Sequence, residues 1–250
     1  MQKQINLEVC VDNIESVDIS KSLDVQRLEL CGALALGGLT PSPSLIRYAR
    51  KNTSISLHSM IRPRAGDFCF SDKDVDTMLC DIEVAYAMGA HGVVIGILNN
   101  DFTINTKAVE KMVAYARKLS LDVTFHRAFD FVPNVKVALE FLIGTGVRRI
   151  LTSGTKSTAL EGIEIIRELN ALAAGRIEIM AGSGVNAGNV LEIIRETSVR
   201  DIHTSAGEKV NKFADRALKL GADSSDLSYQ RTSYEKLMAV KSAIVHSIRN

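Results

Sequence analysis

Short apolar runs rich in Val, Ile and Leu recur along the chain, near Ile5–Val11, Arg27–Cys31, Ile55–Ile61, Gly92–Leu98, Asp122–His126, Arg148–Thr152, Ile177–Ala181 and Asp201–Ser205. Most are apolar almost without a break at their centre, the pattern of parallel strands covered on the outside by helices. The segments between them carry apolar residues at helical spacing. Val75, Met78, Leu79, Ile82 and Tyr86 make one stripe, preceded by Ser71 with Asp74 three residues on, a capping-box start. Val109, Met112, Val113 and Ala116 make another, and Leu237, Val240, Ile244, Val245 and Ile248 the last. Gly89, Gly146 and Gly175 stand where helices should end.

Strand starts fall roughly 22 to 37 residues apart, which suits repeated βα units. Eight units with no obvious linker predict an α/β chain folded as a (β/α)8 TIM barrel, a single domain over residues 1–250. A doubly wound open sheet is the competing architecture, and the lack of an early GxGxxG counts against it. The polar stretch Glu208–Arg231, which contains DSSDLSYQR, predicts a long loop between strand eight and the final helix.

Composition narrows the function classes. The 250 residues are 46% hydrophobic and 24% charged, with 30 basic against 29 acidic residues and no basic block. That balance argues against a dedicated nucleic-acid or membrane-surface binder. The start, MQKQINLEVC, has no apolar leader core, and no later apolar run approaches the roughly 18 residues of a spanning helix, so a cytoplasmic protein is expected. Cys10, Cys31, Cys69 and Cys80 are thinly spread without a CxxC, which predicts reduced thiols rather than a disulfide scaffold.

In such a barrel, chemistry collects at the C-terminal strand ends. Polar residues intrude there repeatedly. Strand one reads LEVC and strand two LELC, so Glu8 shares a face with Cys10, and Glu29 with Cys31. Strand three carries His58 and, on the same parity, Arg62. Strand five ends in FHRAFD, which supplies His126, Arg127 and Asp130, and strand eight carries His203 and Ser205. A carboxylate inside a barrel must be paired or hydrogen-bonded. Glu8 and Glu29 therefore either pair structurally with Arg or His, or line a polar pocket with the histidines. LTSG, AGSGV and TSAG place Ser153, Gly154, Gly182, Gly184, Ser205 and Gly207 at the ends of strands six to eight. These small residues form either an anion cradle or plain tight turns. In RPRAGDF, Arg62 and Arg64 either clamp a carboxylate or phosphate, or hold Asp67 or Asp72 in a surface pair. No HExxH or CxxC spacing marks a preformed zinc site. Cys10 and Cys31 on adjacent strands, with a histidine nearby, suit soft Cu(I), although buried cysteine is also a common core residue.

The strings LELCGALALGGLTPS, MIRPRAGDF, TFHRAFD, RILTSG, MAGSGV and HTSAG, in this order and spacing, resemble the CutC copper-homeostasis family from at least Leu7 to Gly207. The resemblance implies a cytosolic TIM barrel associated with copper handling and found as a homodimer or larger homo-oligomer. The family's rim residues fall on Glu8, Glu29, Cys31, His58, Arg62, Arg64, Asp67, His126, Arg127, Asp130, Ser153, His203 and Ser205. One departure is Cys69-Phe70 after RPRAGDF, where family members often carry a tyrosine. Two readings account for the polar rim, which a non-catalytic scaffold with partner-binding faces would leave unexplained. In the first, Cys31 with Cys10 and a rim histidine bind Cu(I). In the second, a barrel enzyme works on a small phosphorylated or carboxylated molecule. There Glu8, Glu29, His58, His126, Arg127, Asp130 and His203 are the catalytic candidates, and the glycine loops, Ser205 and the arginines hold the anion.

Overall fold

β1 (Asn6–Val11), β2 (Arg27–Leu30), β3 (Ser56–Met60), β4 (Gly92–Ile95), β5 (Asp122–Phe125), β6 (Arg149–Thr152), β7 (Glu178–Ala181) and β8 (Asp201–Thr204) pair in that order, all parallel. β8 then pairs back onto β1, with Leu7 opposite Ile202 and Glu8 opposite His203, so the sheet closes. The computed structural model describes residues 4–211 and 228–249, and in these the (β/α)8 barrel expected from the sequence is present.

The helices are α1 (Ile14–Ser22), α2 (Pro43–Asn52), α3 (Asp72–Ala87), α4 (Thr106–Lys118), α5 (Val135–Thr145), α6 (Ile163–Ala173), α7 (Val190–Thr197) and α8 (Tyr234–Arg249). Their limits follow from local chemistry. α2 starts on Ser42 with Pro43 in its first turn, where a missing N–H costs nothing. α3 starts in the reciprocal Ser71–Asp74 capping box. α5 ends on Gly146, whose φ of +81° suits glycine. Val75, Met78 and Ile82 are buried, whereas Tyr86 at the end of that stripe is 49% exposed. In the last stripe Leu237, Val240 and Ile244 are buried and Val245 is exposed.

The segment expected to be a loop differs at both ends. β9 (Gly207–Val210) and β10 (Tyr229–Thr232) form an antiparallel pair, with Gly207 opposite Thr232. β10 is tied to the first βα unit: Asn13 Nδ2 donates to the Gln230 carbonyl at 3.0 Å, and the Thr232 N–H donates to Ser16 Oγ at 2.8 Å. The centre of the expected loop lies outside the described residues.

Two cores result. Between sheet and helices lies a continuous apolar core that includes Val9, Leu28, Leu57, Val93, Phe125 and Ile150. Inside the barrel, many of the alternate residues of the same strands are polar. The floor is an ionic lattice in which Arg27 pairs with Glu8 and, at 2.7 Å, with Asp201. Arg149 reaches Glu178 at 3.1 Å and Thr124 Oγ1 at 3.2 Å. Pairing on this scale is what lets four buried charges survive where water is excluded.

Candidate functional site at the barrel mouth

Above that floor the interior opens into a cavity of about 490 Å³ at the C-terminal end of the barrel. Glu29, Cys10 and His203 form its base, and Arg62, Phe68 and His126 stand on one wall. Gly184, Ser205 and Gly207 lie on the opposite side with Gln230 and Arg231 of β10.

The base is ordered by a chain of contacts. Arg27 holds Glu8, and Glu8 Oε1 lies 2.7 Å from His203 Nδ1. Burial pushes the Glu8 carboxyl up, but the Arg27 guanidinium and the His203 hydrogen bond outweigh it, so Glu8 stays ionised well below the usual carboxylate range. Burial also disfavours a charged His203, yet the Cys10, Glu29 and Glu8 groups around it hold its pKa well above the ordinary value. The other ring nitrogen of His203 lies 3.9 Å from Glu29 Oε2. Cys10, Glu29 and His203 each offer a ligand atom, all within 4.8 Å of one another and all buried. Cys31 stands beside them, its Sγ 3.5 Å from Glu29 Oε2, and packs against Met60. Burial, then the Glu29 carboxylate, pushes the Cys31 thiol up, while burial raises Glu29 to about 6. The other Glu29 oxygen has no hydrogen-bond partner among the described residues.

His126 is fixed differently. Its Nδ1 accepts from the Ala128 N–H at 3.1 Å, so the proton of the neutral ring sits on Nε2. Burial, with Arg62 nearby, lowers its pKa to about 3. His58 is likewise lowered to about 3 by burial and then by Arg149, but it lies below the cavity, packed over Gly92.

The remaining expected residues divide. Arg127 lines the cavity, donating to Asp130 at 2.8 Å and to Ser153 Oγ at 2.8 Å. Asp130 also accepts from Thr152 Oγ1 and from the N–H groups of Ser153 and Thr155, so its oxygens are occupied in holding the loop after β6. Gly154 packs against Gly162, and Gly182 lies where a Cβ would meet Leu151 at 2.6 Å and His203 at 3.1 Å. Ser153, Gly154 and Gly182 therefore do not line the cavity, whereas Gly184, Ser205 and Gly207 do. Arg64 makes the surface pair with Asp67 at 2.9 Å and stacks on Phe70, away from the cavity.

Some lining residues were not singled out from the sequence. Met60 shares the parity of His58 and Arg62 on β3, and that period-two signal could have found it. Gln230 and Arg231 carry no such signal, because only the return of β10 to the mouth brings them there.

A sequence model described as the CutC family matches residues 5–208. The chain belongs to the CutC family. A CutC family protein of Pasteurella multocida (strain Pm70) is 42% identical over 243 residues, covering 96% of this chain and 99% of that one. One from Vibrio cholerae (strain M66-2) is 48% identical over 200 residues, covering 80% and 79%. A solved structure from Streptococcus agalactiae, named as a copper homeostasis protein CutC, superposes with a TM-score of 0.76 at 35% identity, covering 81% of this chain and 99% of its own.

Proposed function

We propose that this CutC family member is a cytoplasmic copper-homeostasis protein that holds Cu(I) in the mouth of its barrel. The observation that carries the reading is the convergence of Cys10 and His203, with Cys31 and Met60 adjoining them. Cys10 and His203 supply a thiol and an imidazole within 4.8 Å, and the Cys31 thiol and Met60 thioether beside them complete a soft donor set if they move in on binding; such donors favour Cu(I) over hard cations. Glu29, a hard carboxylate, serves better as the hydrogen-bond acceptor of Cys31 than as a ligand to this ion.

The Glu8–His203 contact is the arrangement that orients a metal-binding imidazole. A carboxylate on Nδ1 fixes the ring and leaves Nε2 to the metal. Binding displaces protons from the Cys31 thiol and from His203 Nε2, because the thiolate and the neutral imidazole are the ligand forms while burial and the surrounding groups keep both protonated at rest. The free state of all four cysteines agrees with a reducing compartment. The copper-related name of the S. agalactiae relative supports the same assignment.

The test is an anaerobic Cu(I) titration against a strong competing chelator. The wild type should bind one ion, and Cys10→Ser or Cys31→Ser should weaken it by about a hundredfold or more, each removing a soft ligand. Affinity unchanged in both variants would overturn the assignment.

A further inference from the structure

The cavity is far larger than one ion needs, and its walls hold polar groups that no copper ligand uses. Arg62 is only 5% exposed, yet no carboxylate pairs with it among the described residues. Its Nη1 donates to the carbonyls of Leu36 and Gly38 at 3.1 Å, and its Nη2 to the Gly66 carbonyl at 2.7 Å. Its Nε has no partner. The His126 Nε2, which carries the ring proton, has none either. The Phe68 ring packs against both side chains, 4.9 Å from the Arg62 guanidinium carbon and 4.9 Å from the His126 ring centre. At the cavity base Glu29 Oε1 is a buried acceptor without a donor among the described residues.

Among the described residues, a buried cation with no ion-pair partner, two buried donors without acceptors and one buried acceptor without a donor are each costly to maintain. They sit around one space, and a single kind of molecule answers them all. We propose that the barrel mouth binds a small hydroxylated carboxylate, its carboxylate taking the Arg62 Nε–H and His126 Nε2–H and a hydroxyl donating to Glu29 Oε1.

The charge on Arg62 selects an anion for that wall, and charge-assisted bonds there outrank neutral ones. The unpartnered oxygen of Glu29 at the cavity base selects a hydrogen-bond donor there. At about 490 Å³ the cavity lies within the range that encloses a small organic ligand. Neither nitrogen reaches solvent, and the half-buried Phe68 ring that packs on both side chains is what a ligand would have to displace. The site needs no copper, and it stands or falls independently of the Cu(I) assignment.

The experiment uses the full chain stripped of metal by a chelator and titrated calorimetrically with glycerate, glycerol and inorganic phosphate. Saturable binding of glycerate alone is expected, weakened about tenfold or more by Arg62→Gln and by Glu29→Gln, each of which removes one charge-assisted bond. Because either variant can also disturb folding, the wild-type imidazole N–H resonance of His126 is followed in parallel and should shift along the same isotherm. No saturable glycerate binding, a His126 resonance that stays put, or binding that both variants retain would overturn the proposal. Phosphate binding in place of glycerate would overturn the ligand class.

Discussion

Glu8 Oε1 and His203 Nδ1 meet at 2.7 Å across the seam where the first and last barrel strands join. The contact does two jobs. It fixes the imidazole so that Nε2 faces Glu29, and it joins His203 to the ionic floor through Arg27.

Glu8→Gln keeps the shape of that contact and removes its charge. Orienting partners of this kind are worth about 10- to 100-fold in metal affinity. The variant should therefore bind Cu(I) more weakly by that factor in the competition titration, with both cysteines intact.

The floor lattice should be felt in stability. Arg27→Met takes from buried Glu8 and Asp201 the cation they share, leaving His203 beside Glu8 and Arg149 3.9 Å from Asp201. Removing one partner of a buried pair costs about 3–5 kcal/mol, which urea denaturation will read as a lower midpoint. If Glu8→Gln is added, part of that loss should return, because one of the stranded charges is then gone.

How far this interior could be read from the chain varies by residue. LEVC and LELC put Glu8, Cys10, Glu29 and Cys31 on one face, because strand parity is a local property. The same parity covers Arg27 and Met60, but a basic residue at a strand start and a methionine within a strand each have an ordinary reading, so neither stood out. The partner of Glu8 was not legible: His203 lies 195 positions away, and only barrel closure brings it near. β10 was missed for a different reason. Its sequence, YQRT, pairs in a mostly exposed ribbon, where no apolar alternation is required.

His58 gives a pH prediction. Its pKa of about 3 in the fold lies below the ordinary 6.5, so between these values the unfolded chain binds a proton that the folded one does not. Stability from this group is therefore present above pH 6.5 and lost as pH falls towards 3. His58→Gln should remove about 1.4 kcal/mol per pH unit from the slope of unfolding free energy against pH in that window. Identical slopes for the two proteins would contradict a neutral, buried His58.

Two glycines should respond with opposite signs. A Cβ at Gly92 would stand 2.6 Å from His58 Cε1 and 2.8 Å from the Asp122 carbonyl oxygen, so Gly92→Ala should destabilise by about 1–3 kcal/mol. Gly144 lies within α5 with nothing within 4 Å of that position. Gly144→Ala should stabilise by about 0.5–1 kcal/mol, read as a higher melting temperature.

The seam between β1 and β8 also fixes a timetable for synthesis. With His203 195 positions after Glu8, a ribosome adding about 5–20 residues per second leaves Glu8 without its imidazole for roughly 10–40 s. Throughout that interval β1 presents an unpaired edge on the side that β8 will cover, the kind of edge on which strands of other nascent chains can pair. A barrel closed by its own two ends is thus most exposed to misassembly just before His203 is made.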